Sequence, residues 1–441
     1  MKIQKLRLGE ICEVVKGNIG ISKAVQGCYP LVTTGQNRLS HNEYQFDCEA
    51  ICVPLISSTG HGSATLNYVH YQEGKFALGN ILCACIPKDK KKVSPKYLHW
   101  YLSALKDALF IPLMTGTANV SMSVEKVKTV EVIFPPLDVQ NQIVERLNEL
   151  STLHTQANAT LARLQADVKR LRQSILQQAI QGKLVDNTLP PGEKTGAELL
   201  ADIRAEKERR AREQGKKPDK PLPPVTEAEM PFELPEGWVW CRLGEVAIIR
   251  GGKRVPAGYK LSKKPTPYVY IRVSDMKNGT IDDTDLHYID ERIYRQIKHY
   301  IIEKEDLYMT IVGATIGKCG FVPEKFHRAN LTENAARVTP ILILKEYLQL
   351  LFESDFCQNQ FLDKTKQVGV QKMALIRFLN TLLPIPPNVI QAEIIKIVES
   401  KFQDCSRAEK KTTVVTDQFA TLWQSDLQQI FKFESNGEAS N

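Results

Sequence analysis

Between residues 138 and 185, apolar side chains recur in alternating steps of four and three: Ile143, Leu147, Leu150, His154, Ala157, Leu161, Leu164, Val168, Leu171 and Ile175. Only His154 breaks the apolar character, and on such a seam it reads as a registry device rather than a catalyst. The spacing predicts one long helix with a coiled-coil face. Some 40 residues at ~1.5 Å each extend it to about 60 Å. Asp138 is placed to cap its start, and Gly182, followed by Lys183, to end it. A weaker seam runs through Ile394, Val398, Lys401, Cys405, Ala408, Thr412, Val415, Phe419, Leu422 and Asp426, with Lys401 and Asp426 in core register. A seam cannot be buried by its own helix, so the two helices are expected to pack antiparallel. The expected packing residues are Ile143, Leu147, Leu150, Leu161, Leu164, Val168 and Leu171, with Ile394, Val398, Val415, Phe419 and Leu422.

Ahead of each long helix the pattern is short apolar runs separated by Gly-, Ser- and Asn-rich turns, which predicts strands. A shorter helix is expected over 95–109 and again over 347–356. The chain repeats itself. Arg7-Leu8-Gly9-Glu10 returns as Arg242-Leu243-Gly244-Glu245, and Gln173-Ser174-Ile175-Leu176-Gln177-Gln178 as Gln424-Ser425-Asp426-Leu427-Gln428-Gln429. Pro135-Pro136 with Gln140 and Ile143 is echoed by Pro386-Pro387 with Gln391 and Ile394. These copies are domain-sized, far longer than a solenoid repeat. The expected fold class is therefore α+β: two mixed α/β domains joined by two long antiparallel coiled-coil helices, with pseudo-twofold duplication. The expected boundaries are a first domain at 1–137, a first helix at 138–185 and a connector at 186–235. A second domain at 236–385, a second helix at 386–434 and a tail at 435–441 follow. The connector carries Arg204, Lys207, Arg209, Arg210 and Arg212 interleaved with Asp202, Glu206, Glu208 and Glu213. It reads as a solvated charged helix between extended arms rather than part of a core.

A length of 441 residues accommodates two or three full cores, and 43% apolar with 24% charged residues describes an ordinary globular chain. The net charge of +8 permits a polyanionic partner without requiring one. The first residues lack the apolar core of an export signal, and no run reaches the ~18 apolar residues of a membrane span. A cytoplasmic location is expected, with the ten cysteines reduced. Cys48, Cys52, Cys83 and Cys85 suggest zinc only by proximity. Their spacings fit neither finger nor ribbon, and Cys83 and Cys85 alternate along an apolar run as small core residues do. No resident metal is expected.

Catalytic signatures are missing from the sequence. The run Gly313-Ala314-Thr315-Ile316-Gly317-Lys318 is one residue short of a phosphate loop, and Cys319 stands where a hydroxyl should hold magnesium. What remains is recognition. Lys16, Asn18, Thr34, Gln36, Asn37, Arg38, Ser58, Thr59 and His61 in the first copy are groups that can contact base edges or phosphates. Lys253, Arg254, Arg272, Ser274, Asp275, Lys277, Thr315 and Lys318 are their candidates in the second. Ordinary turn chemistry explains the same composition equally well.

The ordered set Leu234-Pro235-Glu236-Gly237-Trp238, Arg242-Leu243-Gly244-Glu245, the 313–317 loop, the Pro-Pro helix starts and the Gln-Ser-x-Leu-Gln-Gln endings resembles the specificity subunits of type I restriction-modification enzymes. The resemblance implies double-stranded DNA as ligand, each domain reading one half of a split target. It implies helices that set the half-site spacing and dock two modification (methyltransferase) subunits, with restriction (translocase and nuclease) subunits completing the complex. S-adenosylmethionine, ATP and Mg would then belong to those partners, and this chain would not itself be an enzyme. The first copy departs from the pattern by lacking the Pro-Glu-Gly-Trp lead-in. The alternatives are a subunit serving a type II-like methylase-nuclease, or a coiled-coil scaffold with two protein-binding domains.

Overall fold

The computed structural model describes residues 4–58, 64–116, 120–215, 217, 220–363 and 371–431. The chain forms two units, Met1–Leu164 with Thr412–Asn441, and Gln165–Lys411. Both follow one plan. In the first, Gln4–Arg7 pairs antiparallel with Glu131–Phe134. A four-stranded sheet has the order Cys12–Lys16, Leu82–Pro87, Ala50–Pro54, His70–Gln72. A second sheet has the order Leu39–His41, Tyr29–Val32, Lys75–Leu78, Phe46–Asp47, and its central pair is parallel.

The second unit repeats this strand by strand. Val239–Arg242 pairs with Leu382–Ile385. Its sheets run Ala247–Gly251, Ala335–Pro340, Leu307–Thr310, Cys319–Phe321 and His287–Ile289, Tyr268–Ile271, Ala329–Leu331, Ile301–Ile302. It adds a hairpin, Met276–Lys277 with Thr280–Ile281, and a helix, Glu291–Ile297.

The strand Ala50–Pro54 is buried along its whole length because each face meets a different core. Ile51 and Val53 join Cys12, Cys83, Cys85 and the helix Pro95–Ala104, whereas Ala50 and Cys52 pack with Phe46 and Phe76 of the other sheet. The period of two thus sends Cys83 and Cys85 into one core and Cys52 into the other. Burial pushes the Cys12 and Cys52 thiols up, away from the thiolate form a metal needs.

The helices expected over 95–109 and 347–356 each occur as two pieces. Pro95–Ala104 is followed by Lys106–Phe110, and Lys345–Glu353 by Asp355–Asp363. Strand gives way to long helix through the two Pro-Pro pairs. Gln140 and Gln391, both fully buried, sit in the first turns. The Gln140 amide donates to the carbonyls of Pro135 and Lys92, each at 2.8 Å, and accepts from Ser94 N at 2.8 Å. Gln391 donates to Pro386 O at 3.0 Å and accepts from Leu344 N at 3.1 Å. Nearby, Tyr97 and Tyr347 each donate their hydroxyl to the adjoining strand, at Ile133 O and Pro384 O.

The long helices are Leu137–Ile180 and Asn388–Ile430. Asp138 lies inside the first turn rather than capping it. Gly182, at φ +68°, ends the first helix in a Schellman turn: Lys183 N donates to Gln178 O and Gly182 N to Ala179 O. Packing is antiparallel in both units. In the first, His154 stacks on Phe419 and Trp423, with ring centroids 5.0 and 4.5 Å apart, while Val144 and Leu147 share a core with Leu427 and Phe431. In the second, Arg172 reaches Glu409, Ser406 and the Phe402 ring, while Ile175, Leu176 and Ala179 share a core with Ile390, Ile394 and Val398.

The predicted seam needs correction. Leu147, Val168, Ile394 and Val398 are buried and Ile143, Leu150, Leu161 and Phe419 half-buried, but Leu164, Leu171, Val415 and Leu422 are exposed. The places of the last three are taken by Arg172, Thr416 and Trp423, one residue further on, whereas Gln165, after Leu164, is also exposed. Lys401 and Asp426 likewise face out, beside Phe402 and the buried Leu427.

The connector also differs from expectation. Its helix Gly196–Glu213 starts from a Thr195 capping box and buries Leu199, Leu200 and Ile203 in the core of the second unit. Arg209, Arg210 and Arg212 pair within the helix, as a solvated face does, whereas Arg204 and Lys207 bind the Gly244–Glu245 turn. The expected tail, 435–441, lies outside the described residues. No helix among the described residues is long and apolar enough to cross a membrane.

Truncating either buried glutamine strands a proline carbonyl and a backbone N–H. Gln391→Ala is expected to destabilise the second unit by about 2–4 kcal/mol, read as a lower denaturation midpoint. Substitution of the adjacent exposed Glu393 should leave that midpoint unchanged.

Candidate nucleic-acid interface

Antiparallel pairing places Lys16 opposite Cys83 and Pro54 opposite Leu82, so the turns after these strands emerge at one end of the sheet. The parallel pair Leu31↔Ala77 and Val32↔Leu78 brings the turn after residue 32 to the same end. Backbone bonds join them: Ile19 N to Leu78 O, Gly79 N to Val32 O, Asn80 N to Ile19 O and Leu55 N to Ile81 O. Gly17 is required there, since a Cβ would lie 2.2 Å from Gly79 O. In the second unit the same weave links Gly252 to Ala335, Lys253 to Leu331, Thr332 to Ile271 and Ile311 to Asn334. A Cβ on Gly252 would lie 2.1 Å from Thr332 O. Candidate residues scattered in sequence therefore share one end of each domain.

Not all of them face solvent with free groups. Lys16, Asn18, Gln36, Asn37 and Ser58 are exposed and Thr34 half-buried, while Thr59 and His61 lie outside the described residues. Gln45 steadies the first turn, donating to Lys16 O at 3.0 Å and accepting from Asn18 N at 3.2 Å. Arg38 points back into the domain. Its guanidinium donates to Gln72 Oε1 at 3.0 Å and Tyr71 O at 3.2 Å, and lies 3.0 Å from His70 Nδ1. Burial and that cation push His70 from its ordinary 6.5 down to about 4, so the imidazole is neutral. The neutral ring stacks beneath Tyr68, whose exposed hydroxyl donates to Gln36 Oε1 at 3.5 Å. Arg38 is thus a positioning residue, and the outward groups of this cluster are Tyr68 and Gln36. The alternation Tyr68-x-His70-x-Gln72 was the available sequence signal for these partners.

In the second unit, Lys253 lies over the Tyr300 ring at 5.6 Å, and Arg254 pairs with Glu333 at 2.6 Å. The Arg254 side of that ion pair is exposed, whereas Glu333 is half-buried. Between these turns and Leu375 opens a cleft of about 400 Å³, lined in part by Arg250, His299, Tyr300 and Arg337. Arg337 is held by Ile301 O at 2.9 Å, and Arg250 is its exposed register partner. Arg250 escaped the sequence reading because it lies within a strand, Ala247–Gly251, rather than in the turn after it, and Tyr300 because it falls outside a Gly-rich run.

Arg272 is committed internally. It binds both carboxylate oxygens of buried Asp275, at 2.5 and 3.1 Å, and the carbonyl and carboxylate of Asp285. Ser274 also donates to Asp275, and Lys277 pairs with Asp282 at 2.7 Å. The charged members of this set, Arg272, Asp275 and Lys277, are thus all paired within their own turn. Thr315 is exposed and Lys318 half-buried on the turn joining Leu307–Thr310 to Cys319–Phe321. A phosphate loop must open a helix, and here Lys318 enters a strand. Thr310 Oγ1 donates into that turn at Thr315 O.

Comparison with known proteins bears on a molecule made of two such domains. The sequence model of the family described as "Type I restriction modification DNA specificity domain" matches residues 2–163 and 235–415, one match in each copy. The chain belongs to that family. The specificity subunit of the type I restriction enzyme EcoAI of Escherichia coli is 28% identical over 291 residues, covering 62% of this chain and 48% of the relative. That of EcoEI, also from Escherichia coli, is 27% identical over 301 residues, covering 62% and 49%. The chain thus spans about half the length of these curated relatives. A solved structure described as the "structural basis underlying complex assembly and conformational transition of the type I R-M system" matches 97% of both chains at 14% identity, with a TM-score of 0.65. At that identity the likeness shows the fold, which is the α+β duplicated architecture with long helices.

Two measurements test these assignments. Arg272→Ala should destabilise the second unit by about 3 kcal/mol, because it leaves Asp275 buried and unpaired, whereas Lys16→Ala should leave thermal stability unchanged. His70 has a folded pKa below its unfolded value, so its contribution is complete above about pH 6.5 and is lost as the pH falls toward 4. Melting curves between pH 7 and 4.5 should show a shallower acid loss in His70→Asn. An unchanged slope would discount this ring as the titrating group.

Proposed function

We propose that this chain is the DNA-reading, non-catalytic subunit of a cytoplasmic type I restriction-modification assembly. Each domain reads one half of a split target in double-stranded DNA through the turns gathered at one end of its sheets. The observation that carries this reading is the repetition of that end in both copies of a specificity-domain fold. Each carries exposed hydroxyl and basic groups fixed on the same backbone weave, and the first adds exposed amides. Lys16, Lys253 and Arg254 serve as phosphate contacts, and Gln36, Asn37, Tyr68 and Thr315 as base contacts. Arg38, Arg272 and Asp275 shape the turns.

The long helices set the distance between half-sites and dock two modification subunits, with restriction subunits completing the assembly. Apolar side chains outside the packed seams, Leu153, Leu164 and Leu171 on one helix and Val414, Val415 and Leu422 on the other, support a docking role. Adenine methylation and cleavage belong to those partners, which hold S-adenosylmethionine, ATP and Mg. This chain supplies the address.

A base-resolution methylation map of cells carrying this gene with its neighbouring methyltransferase gene should show a split adenine-methylated motif that disappears when this gene alone is deleted. An unchanged map with a folded, expressed partner overturns the reading. Inserting four residues into Leu137–Ile180 should alter the spacer between half-sites and leave both half-site sequences intact. Retention of the original spacer would remove the helices' role as a ruler.

A further inference from the structure

Strand register gives positions in one unit their counterparts in the other, and one gap between edge strands differs in what fills it. The edges are Cys12–Lys16 and Phe46–Asp47 in the first unit, Ala247–Gly251 and Ile301–Ile302 in the second. In the first unit the gap is closed. Gln45, just ahead of Phe46, donates to Lys16 O at 3.0 Å and accepts from Asn18 N at 3.2 Å. Val15 and Ala84, partners in register, pack with Phe46 and Phe76 in the core beneath.

In the second unit Ile301 stands at the position of Gln45 and has no amide to reach across. Arg250 and Arg337 stand in register where Val15 and Ala84 do. The cleft of about 400 Å³ lies here, between Gly251 and Gly252 on one strand and Tyr300 and Ile301 on the other. Its two arginines are not equivalent. Arg337 is half-buried, donates to Ile301 O at 2.9 Å and lies 3.6 Å from buried Asp306, so its charge is balanced inside the domain. Arg250 is exposed and makes no hydrogen bond or ion pair among the described residues. Lys253, over the Tyr300 ring, brings a second cation to the same wall, and no carboxylate is among the residues lining the cleft. An exposed, unpaired cation in such a place favours an anion, because counterions are released when a phosphate replaces them.

We propose that this cleft seats a backbone phosphate of bound DNA, held by Arg250, and that the first domain has no corresponding contact. The proposal rests on the DNA reading above and deepens it. The second domain grips its strand at the flank of the sheets as well as at the turns, so the two half-sites are held unequally. A phosphate contact of this kind adds affinity and carries no sequence information.

The test uses the full-length protein assembled with its methyltransferase partner, and a duplex carrying the motif found in the methylation map. Affinity is measured across a salt series. Arg250→Ala should weaken binding and lower the slope of log affinity against log salt by about one. Mismatches in either half-site should cost the variant what they cost the parent. Arg250→Lys should keep the parent's slope. Because Arg250 is exposed and unpaired, Arg250→Ala should melt like the parent. Ile301→Gln, which supplies the first unit's bridging amide, should close the cleft and lower the slope with Arg250 still present. One neutral methylphosphonate beside the second half-site should weaken the parent and leave Arg250→Ala unaffected. A parent-like slope in Arg250→Ala overturns the proposal and leaves the DNA reading standing. So does an altered base preference at the second half-site, which would make Arg250 a base reader. Inorganic phosphate that raises the melting temperature of the parent but not of Arg250→Ala, with the salt slope unchanged, would name a free anion as the occupant and also overturns it. Absence of salt-dependent binding by the parent complex overturns the DNA reading itself, and this proposal with it.

Discussion

Two buried amides hold the design together. At each Pro-Pro pair the chain must turn from a strand into a long helix without a proline N–H to donate, and the carbonyl before the turn is sealed from water. Gln140 and Gln391 satisfy that carbonyl and clamp the loop leading to the shorter helix. The direction in which each long helix leaves its domain is thereby fixed by hydrogen bonds rather than by packing alone. Apolar contacts tolerate sliding, whereas a buried amide with three directed partners (Gln140) or two (Gln391) does not. Any function that depends on how a domain is aimed depends on these residues.

At the opposite end of the sheets, the charged side chains divide into two populations. Arg38 and Arg272 bond to neighbours within their own domains and set the shape of their turns. Lys16, Lys253 and Arg254 remain at the surface, Lys253 over the Tyr300 ring and Arg254 paired with half-buried Glu333. A cation already desolvated and paired gains little from a phosphate. An exposed one gains counterion release. On the proposed reading, the first population shapes the turns and the second supplies phosphate contacts.

The duplicated architecture was legible because its markers are local: four-residue motifs, Pro-Pro pairs and long helical periods. The sheets were not. Their neighbours come from strands of two to six residues whose partners lie far along the chain, and no periodicity records that order. The same nonlocality misled the reading of Arg38 and Arg272. Both types suit guanine, but their partners His70, Gln72 and Asp285 are invisible from a turn's own composition. The connector was misread for the opposite reason. Its interleaved charges are conspicuous, while Leu199, Leu200 and Ile203, three residues on one helical face, are enough to seat it in a core.

The displaced seam has a geometric cause. A strict heptad advances 3.5 residues per turn, whereas a straight α-helix advances 3.6, so a face followed over many turns arrives progressively later. Starting at Ile394 the two periods agree through Val398 and Cys405, then separate. The heptad selects Val415 and Leu422, while the straight helix brings Thr416 and Trp423 to the face. The first helix behaves likewise, exchanging Leu171 for Arg172. At these positions the buried face follows the period of 3.6 rather than the heptad. The residues one step beyond the heptad leucines make the contacts: Trp423, after Leu422, stacks on His154, and Arg172, after Leu171, lies over the Phe402 ring. The leucines left outside that face, Leu164, Leu171 and Leu422, are exposed, and they are the surface that the proposed docking of partner subunits would use.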